Sequence, residues 1–316
     1  MLVIRGQHNL REHHRGCVAT IGNFDGVHIG HQAVLAALRA RAAQHGLPSL
    51  LITFEPQPLE YFRPKEAPAR LTRPREKLEL IRDAGVDQVL LLRFDQDLAM
   101  MSAASFIREI LVDGLGIRHL YVGDDFRFGK DRVGDFGMLE REGREHGFTV
   151  ENLGTVSDKC GRISSTRIRE ALAAGDLETA ACCLGRGYRM TGRVEHGHKR
   201  GRTIGFPTMN VGMARLRSPV RGVFAVQVEG LEARPVNGVA NVGNRPTLQG
   251  DDRFVLEVHM FDFNRDVYGE QVSVHFLERI RDERKFESFD ALREQILRDA
   301  EQARAVCARY VNDSKL

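Results

Sequence analysis

The segment Gly22–His31, GNFDGVHIGH, places two histidines three residues apart among three glycines. It joins a short apolar run, Cys17–Gly22, to a stretch from His31 to His45 in which Val34, Leu35, Leu38 and Ala42 recur at helical spacing. A strand feeding a helix in this way points free N–H groups and the positive end of the helix dipole out of the loop. Gly22, Gly26 and Gly30 admit a ligand close to the backbone, and Asn23 and Phe24 line the same turn. His28 and His31 lie one helical turn apart, so both imidazoles are expected to face one point. Two donors at a helix start suit the charge that builds on an α-phosphate during nucleotidyl transfer. Either feature alone would read as a surface turn; together at a strand–helix junction they are far more specific.

The HxGH pattern is shared by the nucleotidyltransferase superfamily and the class I aminoacyl-tRNA synthetases. The sequence lacks the KMSKS element and anticodon-binding domain of a synthetase, which disfavours that reading. The second half of a nucleotidyltransfer site is expected as a polar loop before a later helix, and Arg162–Arg169, RISSTRIR, has that form. Arg162, Arg167 and Arg169 suit a polyphosphate. Ser164 or Ser165, followed by Thr166, equally suits a plain helix N-cap.

A second constellation lies further on. Gly197, Gly201 and Gly205 recur every four residues, with Lys199, Arg200 and Arg202 between them. Such a loop is able to wrap phosphates, although GxxxxGK[ST] is absent and spacing alone favours a basic hairpin turn. Thr208 and Asn210 are hard oxygen ligands two residues apart, hence on one side of an extended segment. They suit Mg²⁺ held partly by nucleotide oxygens. Glu257, between Leu256 and Val258, is expected to point away from its apolar neighbours, either as a general base or simply as a solvent-facing acid.

The elements that must position these residues divide into two textures. Up to about Gly185, apolar strands (Cys17–Gly22, Ser49–Phe54, Val89–Phe94, Arg118–Val122) alternate with helices at Pro74–Ala84, from Ser102 to Leu115, and near Met138–His146. That pattern implies an α/β unit with a parallel sheet covered on both faces. Ser164–Ala174 and Asp176–Leu184 read as two short closing helices. From Tyr188 to Phe276, short β segments (Gly222–Val228, Val236–Val242, Phe254–Met260, Val272–Phe276) separated by Gly, Pro and Asn suggest a small antiparallel barrel or sandwich. A terminal helix follows, with Phe289, Leu292, Ile296, Ala300, Ala303 and Tyr310 on one face. The expected domains are residues 1–185 and 186–316.

Composition narrows the class. Across 316 residues, 46 Lys+Arg against 43 Asp+Glu leave a net charge of +3, too small to imply a nucleic-acid or membrane partner. No run approaches the roughly 18 apolar residues of a membrane span, and a charged run stands where a signal peptide would be apolar. The five cysteines form no CxxC pair, and the vicinal Cys182 and Cys183 read as small buried residues. A cytoplasmic location is expected.

GNFDGVHIGH, ITFEPQP, VGDDFRFG, RISSTRIR, GRVEHGHKRGRTIGFPTMN, NGVANVGNRPT and LEVHMFDFNRDVYG resemble, in order, the pattern of the prokaryotic bifunctional riboflavin kinase/FMN adenylyltransferases (FAD synthetases). The resemblance implies a Rossmann-like adenylyltransferase domain followed by a six-stranded β-barrel kinase domain with a terminal helix. It implies that ATP and Mg²⁺ convert riboflavin to FMN and ADP, then FMN to FAD and pyrophosphate. His28 and His31 would meet ATP phosphates, with Arg162, Ser165 and Thr166 on the triphosphate from the other side. Asp125 and Phe126, and the Arg279–Phe289 segment, would lie on the flavin side of the two sites. Thr208 and Asn210 match the Mg²⁺–ATP ligands and Glu257 the catalytic base. The family's PTAN reads PTMN here, and Met209 is expected to face away from Thr208 and Asn210. The competing readings are another adenylyl- or cytidylyltransferase with an unrelated barrel, or a flavin-binding regulator without chemistry.

Overall fold

The structure, a computed structural model, describes residues 1–123, 125–154, 156–196, 206–213, 215, 217–246 and 252–313. Gly197, Lys199, Gly201, Arg202 and Gly205 lie outside the described residues. The chain forms two compact units: Met1–Pro68 with Pro74–Ser164, and Ala69–Arg73 with Ser165–Leu316. The division therefore falls between Ser164 and Ser165, ahead of the two short helices that the sequence groups with the first unit.

In the first unit, β1 (Leu2–Arg5), β2 (Val18–Ile21), β3 (Ser49–Glu55), β4 (Gln88–Arg93), β5 (His119–Val122) and β6 (Thr149–Asn152) form one sheet in the order β1-β4-β3-β2-β5-β6. Every pairing is parallel. Successive residues of the central strands alternate between two cores: Leu50 and Ile52 pack on one face, Leu51 on the other. Helix α1 (Ile29–His45) lays Leu35, Leu38 and Ala42 on the Leu51 face. Helix α2 is Pro58–Phe62, and α3 (Pro74–Asp83) adds Ile81 to that same face. After α4 (Gln96–Met100), a short helix, α5 (Ala103–Ser105), continues as a π-helical stretch, Phe106–Gly114, that covers the opposite face with Phe106, Ile107 and Ile110. Helix α6 (Phe136–His146) adds Leu139 there. A two-stranded ribbon, β7 (Ser157–Asp158) with β8 (Gly161–Arg162), follows. Edge strands β1 and β6 escaped the sequence reading because they are four residues long and bury almost nothing.

The chain runs from β2 to β3 on one side and later from β4 to β5 on the other, so the strand order reverses between β2 and β5. Ligands of open parallel sheets bind at the carboxyl ends of such a pair. GNFDGVHIGH leaves β2 and VGDDFRFG leaves β5, so both motifs emerge at this switch point.

The second unit begins with α7 (Ser165–Ala174) and α8 (Leu177–Leu184). Its strands are β9 (Arg189–Glu195), β10 (Met209–Gly212), β11 (Gly222–Glu229), β12 (Val236–Pro246), β13 (Asp252–Met260) and β14 (Gln271–Arg281). They close into an antiparallel barrel in the order β10-β13-β12-β11-β14-β9. The barrel expected from the resemblance is therefore present. Helix α9 (Phe289–Asp313) packs Ala300, Ala303, Val306 and Cys307 over Val223, Ala225 and Val239 on its outside. Only the middle of the expected apolar face is buried: Phe289 and Tyr310 are exposed, although the Tyr310 hydroxyl donates to the Leu277 carbonyl of β14 at 3.0 Å. Cys183 is buried but Cys182 is exposed, so the pair does not pack inward together. No helix among the described residues is long and apolar enough to cross a membrane.

Candidate functional site

Helix α1 starts at Ile29, so His28 is its N-cap rather than a member of its first turn. The His31 backbone N–H donates to Nδ1 of His28 at 3.2 Å. A neutral His28 then carries its proton on Nε2, which leaves that nitrogen as a donor. The two rings stack, with centroids 3.6 Å apart and planes 17° from parallel. The Phe24 ring also lies against His31, with centroids 4.6 Å apart and planes tilted by 30°. His28 is buried, and Nδ1 of the half-buried His31 has no partner among the described residues. Burial, then His28, then Lys77 push the His31 pKa well below 6.5, so its imidazole is neutral at pH 7. Gly30 has no freedom to be larger: a Cβ there would stand 3.1 Å from the His28 ring and 3.8 Å from the Ile163 carbonyl.

The turn that leads to these rings is strained. Phe24 and Val27 have φ of 48° and 40°, a region that β-branched and bulky residues avoid. Both are buried, and their neighbours pin them. The Val27 carbonyl accepts from Gln32 Nε2 at 2.9 Å, and the Asn23 carbonyl from Lys77 Nζ at 3.0 Å. Gly22 is tied to β3 through its N–H to the Ile52 carbonyl. Strain held in place by surrounding structure at a sheet switch point is what a preorganised ligand loop requires.

Across the switch point, Asp125 and Arg162 meet at 3.5 Å, both exposed. Phe126 stacks on Phe128 with centroids 5.4 Å apart. An aromatic group lies at the carboxyl edge of β3 and β4. Phe94 there contacts Phe54, Tyr61 and Phe62, with Phe62 59% exposed. Ser165 and Thr166 open α7 in the other compact unit.

On the barrel, strand register assembles the second site. Asn210 of β10 lies directly opposite Glu257 of β13, and Glu257 directly opposite Asn241 of β12. Cross-strand partners share a face, so these three side chains form a row. The row faces outward, because Leu256, Val258, Met209 and Val211 beside it are all buried. Met209 therefore turns away from Thr208 and Asn210, as expected. The amide Oδ1 of Asn210 is buried with no hydrogen-bond partner among the described residues. A hard, uncommitted oxygen beside a carboxylate fits a divalent cation such as Mg²⁺. Asn241 was not anticipated; only the register reveals it.

Family models agree with both halves: FAD synthetase matches residues 10–167 and riboflavin kinase residues 184–307. A bifunctional riboflavin kinase/FMN adenylyltransferase of Pseudomonas fluorescens is 52% identical over 308 residues, 98% of each chain. The chain belongs to the bifunctional riboflavin kinase/FMN adenylyltransferase family. The protein of that name from Escherichia coli K12 is 50% identical over 96% of this chain and 97% of its own. A solved structure described as a macrolide-efflux protein from Streptococcus pneumoniae aligns with a TM-score of 0.80 at 33% identity, covering 96% of this chain and 99% of that one.

In this member of the riboflavin kinase/FMN adenylyltransferase family, the segment Arg279–Phe289 opens as strand, since β14 runs through Arg281, and ends where α9 starts at Phe289. Arg279 pairs with Phe224 in the sheet, donates to the Ala174 carbonyl at 3.1 Å and forms an ion pair with Asp282. Arg281 grips the buried Asp299 of α9 through both carboxylate oxygens, at 2.7 and 3.0 Å. The connection between strand and helix is thus reduced to residues 282–288.

Proposed function

We propose that the chain runs two reactions in series, riboflavin and ATP to FMN and ADP on the barrel, then FMN and ATP to FAD and pyrophosphate on the parallel-sheet unit. The observation that carries this reading is the direct opposition of Asn210 and Glu257, a metal-type oxygen and a carboxylate on one face, in a chain that also holds the stacked histidine pair.

In the kinase step Glu257 takes the proton of the riboflavin 5′-hydroxyl as that oxygen attacks the γ-phosphate. Thr208 and Asn210 would hold Mg²⁺, which when bound neutralises charge on the transferring phosphoryl group. Gly197, Lys199, Gly201, Arg202 and Gly205 are assigned to the ATP phosphates by motif.

In the second step an FMN phosphate oxygen attacks the α-phosphate and pyrophosphate leaves. That oxygen is already anionic near pH 7, so the site needs positioning and charge stabilisation rather than a base. His28 offers Nε2–H, and neutral His31 one N–H, to the phosphate, while Gly22, Asn23, Phe24 and Gly30 shape the cradle. Arg162 supplies charge, and Ser165 and Thr166 carry a triphosphate role by motif. Asp125, Phe126 and Arg279 keep their place as flavin-side residues. The aromatic edge at Tyr61, Phe62 and Phe94 offers an apolar surface against which an isoalloxazine ring could pack. We assign residues 1–185 and 186–316 to the two activities and the cytoplasm as their location.

Incubating the full chain with riboflavin, ATP and Mg²⁺ and separating the flavins by chromatography tests the proposal. FMN followed by FAD is expected; riboflavin recovered unchanged would refute it.

A further inference from the structure

Lys77 is the largest of the fully buried side chains, 1% exposed in the middle of α3. An ammonium taken out of water is costly unless polar partners replace its hydration. Two of its partners belong to the wall behind the histidine site. Nζ donates to the Asn23 carbonyl at 3.0 Å and to Thr53 Oγ1 at 3.2 Å, and the Thr53 hydroxyl itself reaches the Asn23 carbonyl at 3.4 Å. Helix α3, strand β3 and the loop after β2 are thereby joined at one oxygen.

That oxygen belongs to the peptide immediately before Phe24, the first residue of the strained turn. A peptide held from two sides cannot rotate to relieve a positive φ at the next residue. Phe24 in turn packs against His31 at a 30° tilt, and His31 stacks on His28. The contacts form one continuous path from Lys77 through Asn23 and Phe24 to the imidazole pair. Its charge also acts on that pair, since Lys77 is among the groups that disfavour a second cation at His31.

We propose that Lys77 is a positioning residue for FMN adenylylation, clamping the Asn23–Phe24 peptide so that the His31 ring is seated, and holding a fixed positive charge behind the phosphate cradle. The inference rests on the assignment of His28 and His31 to the ATP phosphates.

The test compares Lys77→Met and Lys77→Arg with wild type and with His31→Ala, in the full chain. FMN adenylylation is measured as kcat, KM for ATP and pH profile. Riboflavin phosphorylation by the same preparation reports on the barrel unit, and a thermal melt on the folding of the parallel-sheet unit. Lys77→Met is expected to lower the adenylylation kcat by about ten- to a hundredfold, the scale of a misplaced catalytic group, and to leave riboflavin phosphorylation at the wild-type rate. Its acid limb is expected to move to higher pH, because His31 loses a neighbouring charge that resists its protonation; Lys77→Arg should return the limb to its place. A merely structural lysine would not move that limb. Wild-type kcat and an unmoved limb in Lys77→Met would overturn the inference, as would a lost rate with an unmoved limb that Lys77→Arg does not rescue. If Lys77→Met does not fold, Thr53→Val removes the bridging hydroxyl and keeps the charge. A severalfold drop in adenylylation kcat is then expected, and an unchanged kcat would overturn the clamp. Activity lost in His31→Ala but kept in Lys77→Met defeats the inference alone, whereas activity kept in His31→Ala defeats the assignment beneath it.

Discussion

Asn210 and Glu257 face each other across a β10–β13 rung, on the outer face of a barrel whose inner face is filled by their immediate neighbours. This pairing makes the carboxylate separable from the fold. Glu257→Gln keeps shape and volume at a half-buried position, so the barrel should melt as wild type. Riboflavin phosphorylation is expected to drop by about 10²- to 10⁴-fold, the usual worth of a positioned general base. FMN adenylylation by the same variant should persist. Assaying one preparation with riboflavin and then with FMN decides the matter.

His28 caps α1 through Nδ1, and its proposed role as phosphate donor uses Nε2, which yields a stability–activity split. His28→Ala loses both, with a cap cost of about 0.5–2 kcal/mol. His28→Asn restores a capping oxygen and should melt close to wild type, yet FMN adenylylation should stay as low as in the alanine variant. Thermal melts and FAD formation are the two readouts.

Gly30 offers the converse case. Alanine in place of glycine favours a helix by up to about 1 kcal/mol, which offsets the weakening of the His28 cap that a displaced ring brings, so Gly30→Ala should melt close to wild type. Its Cβ, 3.1 Å from the His28 imidazole, would push that ring out of the stack. A loss of about tenfold or more in adenylylation kcat is expected for such a displacement, with kinase activity unaltered.

The depressed pKa of His31 sets a pH dependence whose sign is determined. Above about pH 6.5 the ring is neutral in folded and unfolded chains alike, and its contribution to stability is constant. As pH falls below that value the unfolded chain takes up a proton before the folded one does, so stability declines until the lower folded pKa is passed. Adenylylation should weaken over the lower part of that window, as the buried stack is forced to accept charge. In His31→Gln the same pH titration of melting temperature is expected to be flatter; an identical slope would contradict it.

Much of this was legible from residue types. A strand–GNFDGVHIGH–helix junction announced a tight loop at a helix start, and the apolar runs of β3 and β4 announced a two-faced sheet, since both are local signals of period and turn chemistry. The terminal helix was legible as amphipathic, but not how much of it would be covered, because that depends on which strands lie beneath it. The aromatic edge around Phe94 was hidden because its members come from three separate segments, β3, α2 and the end of β4.

Residue types were readable without coordinates: a histidine pair at a helix entrance, a threonine–asparagine pair and a carboxylate between apolar neighbours are choices of side chain. Their arrangement in space came from the tertiary structure. Whether His28 sits inside or just before α1, whether Asn241 joins Asn210 and Glu257, and whether a lysine from α3 ends beneath the Asn23 carbonyl all depend on helix phase, strand register and packing between segments tens of residues apart. A one-residue slip in register would have turned Glu257 into the barrel and Leu256 out of it, and no local pattern forbids that slip; burial of the opposite face does.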